Sequence, residues 1–201
     1  MGAMGLWPRI NHHLVMEARE LDGKEASPTA GAIDSQSVKT TESGGIRGFD
    51  AGKTATNCVC AEINGRKRHI IVDTLGLMVG LMVHSADIQD RDGAPDLLKS
   101  IRNRWPWLLH VFADGGYAGD KLKKRLQKIG KWTLEIIKRT DKAKGFEILP
   151  RRWVVERTFA WLGRCRRLAK DFETSIASAE AWITIAHIRM LTRRLARYGY
   201  R

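Results

Sequence analysis

Between positions 32 and 38, small or apolar residues alternate with polar ones, the period of a β-strand with one covered face. Two further β-branched and aliphatic runs, 67–74 and 77–85, flank the turn-like pair Leu75-Gly76 and predict an antiparallel hairpin. Residues 108–113 form an unbroken apolar run of strand length ending at Asp114-Gly115-Gly116, as expected for a strand covered on both faces. Residues 132–137 supply one more strand. Helical spacing appears around 12–21, over 96–104 once Pro95 is passed, over a Lys-rich stretch at 120–129 that stops at Gly130, and from 151 to 168 after Pro150. A last amphipathic helix over about 178–197 ends in Arg193, Arg194 and Arg197. Residues 41–57, with Gly44, Gly45, Gly48 and Gly52 beside Arg47 and Lys53, read as a mildly basic loop. Strands alternating with helices predict an α/β domain over 31–201, and residues 1–30 read as an N-terminal remnant and linker closed by Ser27-Pro28-Thr29. Sheet order does not follow from this pattern.

The chain has 201 residues, 43% of them hydrophobic, enough to bury a core in one domain. Its longest apolar stretch, 75–83, contains two glycines and is far short of the ~18 residues of a membrane span. Three cysteines, Cys58, Cys60 and Cys165, build no disulfide framework and read as free thiols. The +13 net charge is unevenly placed: residues 1–120 hold 13 Lys/Arg against 15 Asp/Glu, and residues 121–201 hold 22 against 7. A basic second half on a neutral first half points to a polyanion partner, or to a solubilising surface.

Three carboxylates carry candidate chemistry. Asp114 ends a buried strand, where ligands of open α/β sheets bind, although an Asp also opens Gly-Gly turns by accepting a backbone hydrogen bond. Asp34 lies inside a strand beside Ile33, where an acid requires a partner or a metal unless the strand bends there. Around Glu156, a helix wound at 100° per residue places Arg152, Ala160, Gly163 and Arg167 nearby, while Val155, Phe159 and Leu162 form the packing ridge. Two arginines bracketing a floor of small residues would let a phosphate backbone approach the carboxylate; the plainer reading is a surface Arg152–Glu156 ion pair. Carboxylates converging from two strands and a helix form the donor set of a hard divalent cation, and cation pairs serve in-line phosphoryl transfer.

Four motifs in order resemble the DDE (Asp-Asp-Glu) transposases of bacterial insertion sequences, specifically the insertion sequence 5 family. They are Ile33-Asp34-Ser35-Gln36-Ser37-Val38-Lys39-Thr40; Gly65-Arg66-Lys67-Arg68-His69-Ile70 leading into Val72-Asp73-Thr74; Ala113-Asp114-Gly115-Gly116-Tyr117; and 150–159 with Trp161-Leu162 and Arg166-Arg167-Leu168. The resemblance implies an RNase H-like mixed sheet flanked by helices, with Asp34, Asp114 and Glu156 as catalytic metal ligands for Mg²⁺, or Mn²⁺ as its substitute. It also implies divalent-metal-dependent cleavage and strand transfer at element ends, DNA as partner, a homo-oligomer assembled on DNA, no membrane, and a bacterial cytoplasmic, nucleoid-associated setting. Arg152 matches the Arg of the superfamily's Tyr-Arg-Glu-Lys signature, whereas Leu149 and Gly163 stand at the Tyr and Lys positions. DNA contacts are expected from Arg66, Lys67, Arg68, Arg152, Arg164, Arg166 and Arg167. Relatives carry a DNA-reading segment ahead of the first Asp, and residues 54–62 read as an insertion. The alternative function is a truncated or inactive fragment that binds DNA without cutting it.

Other features read as structural. His84 and His187 lie in apolar surroundings as satisfied buried histidines, and Trp105 and Trp107 as core or rim packing. Asp87, Asp90, Asp92 and Asp96 read as solvated loop acids, because the glycine and glutamate spacing of a calcium loop is missing.

Overall fold

The computed structural model describes residues 5–42, 45–50, 63–137 and 152–198. The helices are α1 (Leu6–Leu21), α2 (Asp90–Ile101), α3 (Asp120–Ile129), α4 (Trp153–Gly163) and α5 (Ile176–Tyr198). The strands are β1 (Ala30–Lys39), β2 (Gly48–Phe49), β3 (Asn64–Asp73), β4 (Met78–Ser85), β5 (His110–Ala113) and β6 (Thr133–Ile136). They form one mixed sheet of order β2-β3-β1-β5-β6, with β4 also paired to β3. β1, β3 and β4 are antiparallel in turn, whereas β5 runs parallel to β1 and β6 parallel to β5. This is the RNase H-like mixed sheet flanked by helices that the motifs imply. The short β2 falls within the stretch expected to be a loop. The expected insertion at 54–62, with Cys58 and Cys60, lies outside the described residues.

Side-chain alternation divides the core between the two faces of the sheet. Ile33, Ile71, Val111 and Ala113 pack with Leu97, Leu98 and Ile101 of α2 and Leu122 and Leu126 of α3. The intervening Ala32, Ile70, Val72 and Phe112 pack with Val155, Phe159 and Leu162 of α4 and Ile183 of α5. The ridge expected on α4 is therefore its buried side. Trp105 is buried with its indole N–H donating to the Val79 carbonyl at 2.9 Å, while Trp107 is exposed.

Three boundaries differ from the sequence reading. α1 begins earlier and is no leftover: Val15 and Ala18 are buried in the core, and Arg19 forms a buried ion pair with Asp73 at the end of β3. α2 starts at Asp90 and carries Pro95 as its sixth residue; the proline forfeits one helical hydrogen bond, to the Arg91 carbonyl, and Asp90 and Asp92 favour the helix's positive end. The helix expected to continue to 168 stops at Gly163, and Arg166–Leu168 form a separate 3₁₀ turn. Arg68 accounts for the break, donating to the Leu168 and Lys170 carbonyls at 2.8 and 3.3 Å and drawing that segment onto the sheet. No described helix is long and apolar enough to cross a membrane.

Candidate active site

Strand pairing brings Asp34 and Asp114 together. β1 and β5 run parallel with Ala30 opposite His110, Gly31 opposite Val111 and Ala32 opposite Phe112. Two residues further on, Asp34 and Asp114 stand at the same height, and alternation turns both toward the face that α4 covers. Asp34 Oδ1 accepts the Ser35 amide at 2.7 Å, and Asp114 Oδ1 accepts the Gly116 amide at 2.8 Å. Asp114 thus opens its Gly-Gly turn as an ordinary Asp does while also holding its place beside Asp34. Burial pushes the Asp34 carboxyl up to about 7, against the Ser35 hydrogen bond; Asp114 adds to the rise, Arg152 opposes it and Asp90 adds to it.

Glu156 sits in the first turn of α4 and is exposed. Arg152 links it to the strands: one guanidinium nitrogen lies 3.3 Å from Glu156 Oε1 and 3.8 Å from Asp114 Oδ2. The i,i+4 ion pair expected from the sequence is therefore present, and it also reaches a second acid. Among the described residues, no three acids, histidines or cysteines converge closely enough to make a metal cluster. The structure brings Asp34 and Asp114 into one pair and leaves Glu156 across the Arg152 guanidinium. That pair still suits a hard divalent cation, because its donors are carboxylate oxygens. Mg²⁺ commonly takes one or two protein carboxylates and completes its shell with water and substrate phosphate.

Beneath this pair lies a partly buried polar layer that sequence reasoning missed. Asp90 accepts from Ser35 Oγ at 2.7 Å and pairs with Lys67 Nζ at 2.9 Å. A Cβ placed on Gly116 would lie 3.0 Å from Asp114 Oδ1 and 3.7 Å from Asp90 Oδ2, so the two acids flank one glycine. Tyr117 is fully buried, its hydroxyl 2.8 Å from His69 Nε2, and His69 Nδ1 is 3.5 Å from His84 Nε2. Burial pushes the Tyr117 phenol upward, and Asp34, Asp90 and Asp114 push it further. The available signal for Asp90 was a pair of acids just ahead of Pro95, which marks a helix start as well as a loop.

The expected basic contacts divide into two groups. Arg66, Lys67 and Arg68 are buried in β3 and do not face a DNA backbone. Arg66 donates to the Glu173 and Thr174 carbonyls at 2.8 Å each and pairs with Asp171; Lys67 donates to the Ile88 carbonyl at 2.9 Å. The reason is what covers the two faces of β3: residues 168–175 lie over Arg66 and Arg68, and Ile88 and Asp90 at the start of α2 lie over Lys67, so these cations serve carbonyls and acids instead of phosphates. Arg152, Arg164, Arg166 and Arg167 remain at the surface or partly so. Arg167 pairs with Glu173 and lies over the rings of Phe172 and Trp182, at 5.7 and 5.1 Å. Arg157 is stacked between Trp153 and Trp161, 4.3 and 4.5 Å from their ring centres.

Comparison with known proteins identifies the family. Residues 25–191 match the transposase DDE domain. The chain is 30% identical over 128 residues to a putative transposase for insertion sequence element IS402 from Burkholderia cepacia, an alignment spanning 60% of each chain. Among solved structures, the Mos1 transposase paired-end complex with left transposon end is similar at a TM-score of 0.41 and 13% identity, over 98% of this chain and 62% of that one. The Mos1 strand transfer complex gives 0.42 and 13%, over 99% and 64%. The match over 25–191 takes in both strand acids and the helix acid, and on it the chain belongs to the transposase DDE domain family.

Proposed function

We propose that this chain is the catalytic portion of an insertion-sequence transposase of the insertion sequence 5 type, which cuts and rejoins DNA with the help of a divalent cation. The observation that carries the reading is the pairing of Asp34 and Asp114 at one height of adjacent parallel strands, facing the helix that bears Glu156. Asp34 and Asp114 would hold Mg²⁺ or Mn²⁺, with Glu156 as the third carboxylate. Such ions supply activation of the attacking oxygen and stabilisation of the leaving oxygen in an in-line displacement.

The chain's own residues do the rest. Arg152 keeps the carboxylates from repelling one another and is placed to receive a phosphate between Asp114 and Glu156. The Gly115-Gly116 turn keeps bulk away from the Asp114 carboxylate, and the Ser35, Asp90 and Lys67 chain holds β1 from below. Arg164, Arg166 and Arg167 continue the cationic surface from the end of α4 along a bound backbone. A homo-oligomer on DNA belongs to the same reading.

The test is nicking of insertion-end DNA in Mg²⁺ or Mn²⁺ by the wild type and by Asp34→Asn, Asp114→Asn and Glu156→Gln. Cleavage by the wild type that falls by at least about a hundredfold in each variant, with DNA affinity kept, supports the assignment. DNA binding without metal-dependent cleavage in the wild type would establish the non-cutting fragment instead. Equal cleavage by all four proteins would reject the triad.

A further inference from the structure

A second cationic feature lies away from the carboxylates. A groove of about 760 Å³ between the end of α4 and the C-terminal half of α5 is lined by Trp161, Arg164, Arg189, Arg193, Arg194 and Arg197, over an apolar floor. Arg189, Arg193 and Arg197 recur every fourth residue, so they form a row ~12 Å long on one side of α5. Of the five arginines, Arg194 is paired with Asp22, whereas among the described residues Arg164, Arg189, Arg193 and Arg197 carry no ion pair. Positive charge here is thus concentrated beyond what the described acids neutralise.

From this we infer that the α4–α5 groove binds the phosphate backbone of a duplex DNA segment, as a contact separate from the Asp34–Asp114 site. The length of the row selects the ligand class. A small anion would engage one or two arginines, whereas ~12 Å of duplex presents ~7 phosphate charges, enough to engage the whole row. Place selects the segment. Arg164 lies ~12 Å along α4 from Glu156, so the groove meets DNA away from the carboxylates. Only the choice of DNA as the polyanion rests on the transposase reading; the row and its charge do not.

The test uses fluorescence anisotropy with a 30-base-pair duplex of arbitrary sequence, over a salt series, for the wild type and the triple variant Arg189→Gln/Arg193→Gln/Arg197→Gln. Binding by the triple variant should weaken at least about tenfold, and the slope of log affinity against log salt should shrink by about 2.7, or ~0.9 per lost contact. Circular dichroism and urea unfolding verify that the triple variant folds; its exposed sites and conserved polarity leave the core untouched. Unchanged affinity and slope in a folded triple variant overturn the inference. So does intact duplex binding with weakened binding to phosphatidylserine vesicles, which would assign the groove to an anionic lipid surface. Neither outcome bears on cleavage by the Asp34 and Asp114 variants, so failure of the groove and failure of the catalytic reading remain distinct.

Discussion

At the scale of single residues, Asp34 is a carboxyl whose surroundings favour its protonated form. Its folded value of about 7 lies above the ordinary carboxylate value, so ionisation opposes folding, and the penalty grows as pH rises from about 4 to about 7. Asp34→Asn removes that penalty and should stabilise the metal-free protein while abolishing its chemistry. Urea unfolding in EDTA should show a gain on the order of 2 kcal/mol larger at pH 8 than at pH 5. A gain that does not change with pH would mean that burial beside Asp114 does not raise the Asp34 carboxyl. Asp34, Asp114 and Glu156 stood out as candidates because an acid inside a strand, an acid at the end of a buried strand and an acid among helical arginines each break a local habit of sequence. Asp90 did not, because an acid at a helix start breaks none. Nor did the burial of Arg66, Lys67 and Arg68, since a cation's identity does not reveal whether carbonyls or solvent surround it.

At the scale of elements, α1 shows how a segment of weak periodicity becomes part of the core. It is held by Val15 and Ala18 and by the Arg19–Asp73 pair, with Asp73 also accepting the Leu75 and Leu77 amides at 2.9 and 2.7 Å. Burial holds the Asp73 carboxyl above its ordinary range even so. Arg19→Met leaves that buried acid without its cation and should cost about 3–5 kcal/mol in urea unfolding; Arg19→Met/Asp73→Asn should recover part of the loss. A loss below about 1 kcal/mol would show that α1 is held by its apolar face alone. The hairpin β3–β4, the buried β5 and the stop of α3 at Gly130 were legible from alternation, apolar continuity and a helix breaker. The start of α2 and the end of α4 were not. Local rules set the first at Pro95, which the helix absorbs, and could not see that Arg68, about one hundred residues away in sequence, captures the segment after the second.

At the scale of the whole molecule, buried imidazoles tie stability to pH. His187 is buried with both ring nitrogens engaged: Nε2 accepts the Met78 amide at 3.0 Å, and Nδ1 faces Asn11 Oδ1 at 2.6 Å. Only the neutral ring satisfies both, and burial lowers its value to about 3; burial, with His84 and Lys67, lowers His69 to about 3 as well. Values depressed below the unfolded 6.5 mean that the unfolded chain takes up protons first, so stability is complete above pH 6.5 and declines toward pH 3. Each ring contributes about 1.4 kcal/mol per pH unit to that decline. His187→Gln, which can still donate and accept, should reduce the slope of unfolding free energy between pH 6 and 4.5 by about that amount. An unaltered slope would remove His187 from the account. Strand register has a broader reach. Because β1 and β5 march in step up to Ala32 and Phe112, the two acids meet only if neither strand gains or loses a residue. One deletion would swing a carboxylate through the sheet toward Asp90 and the polar layer on the α2 side, whereas lengthening the connections between the strands would leave the partnership intact. Evolution of this scaffold is therefore free in its loops and rigid in two short runs of backbone.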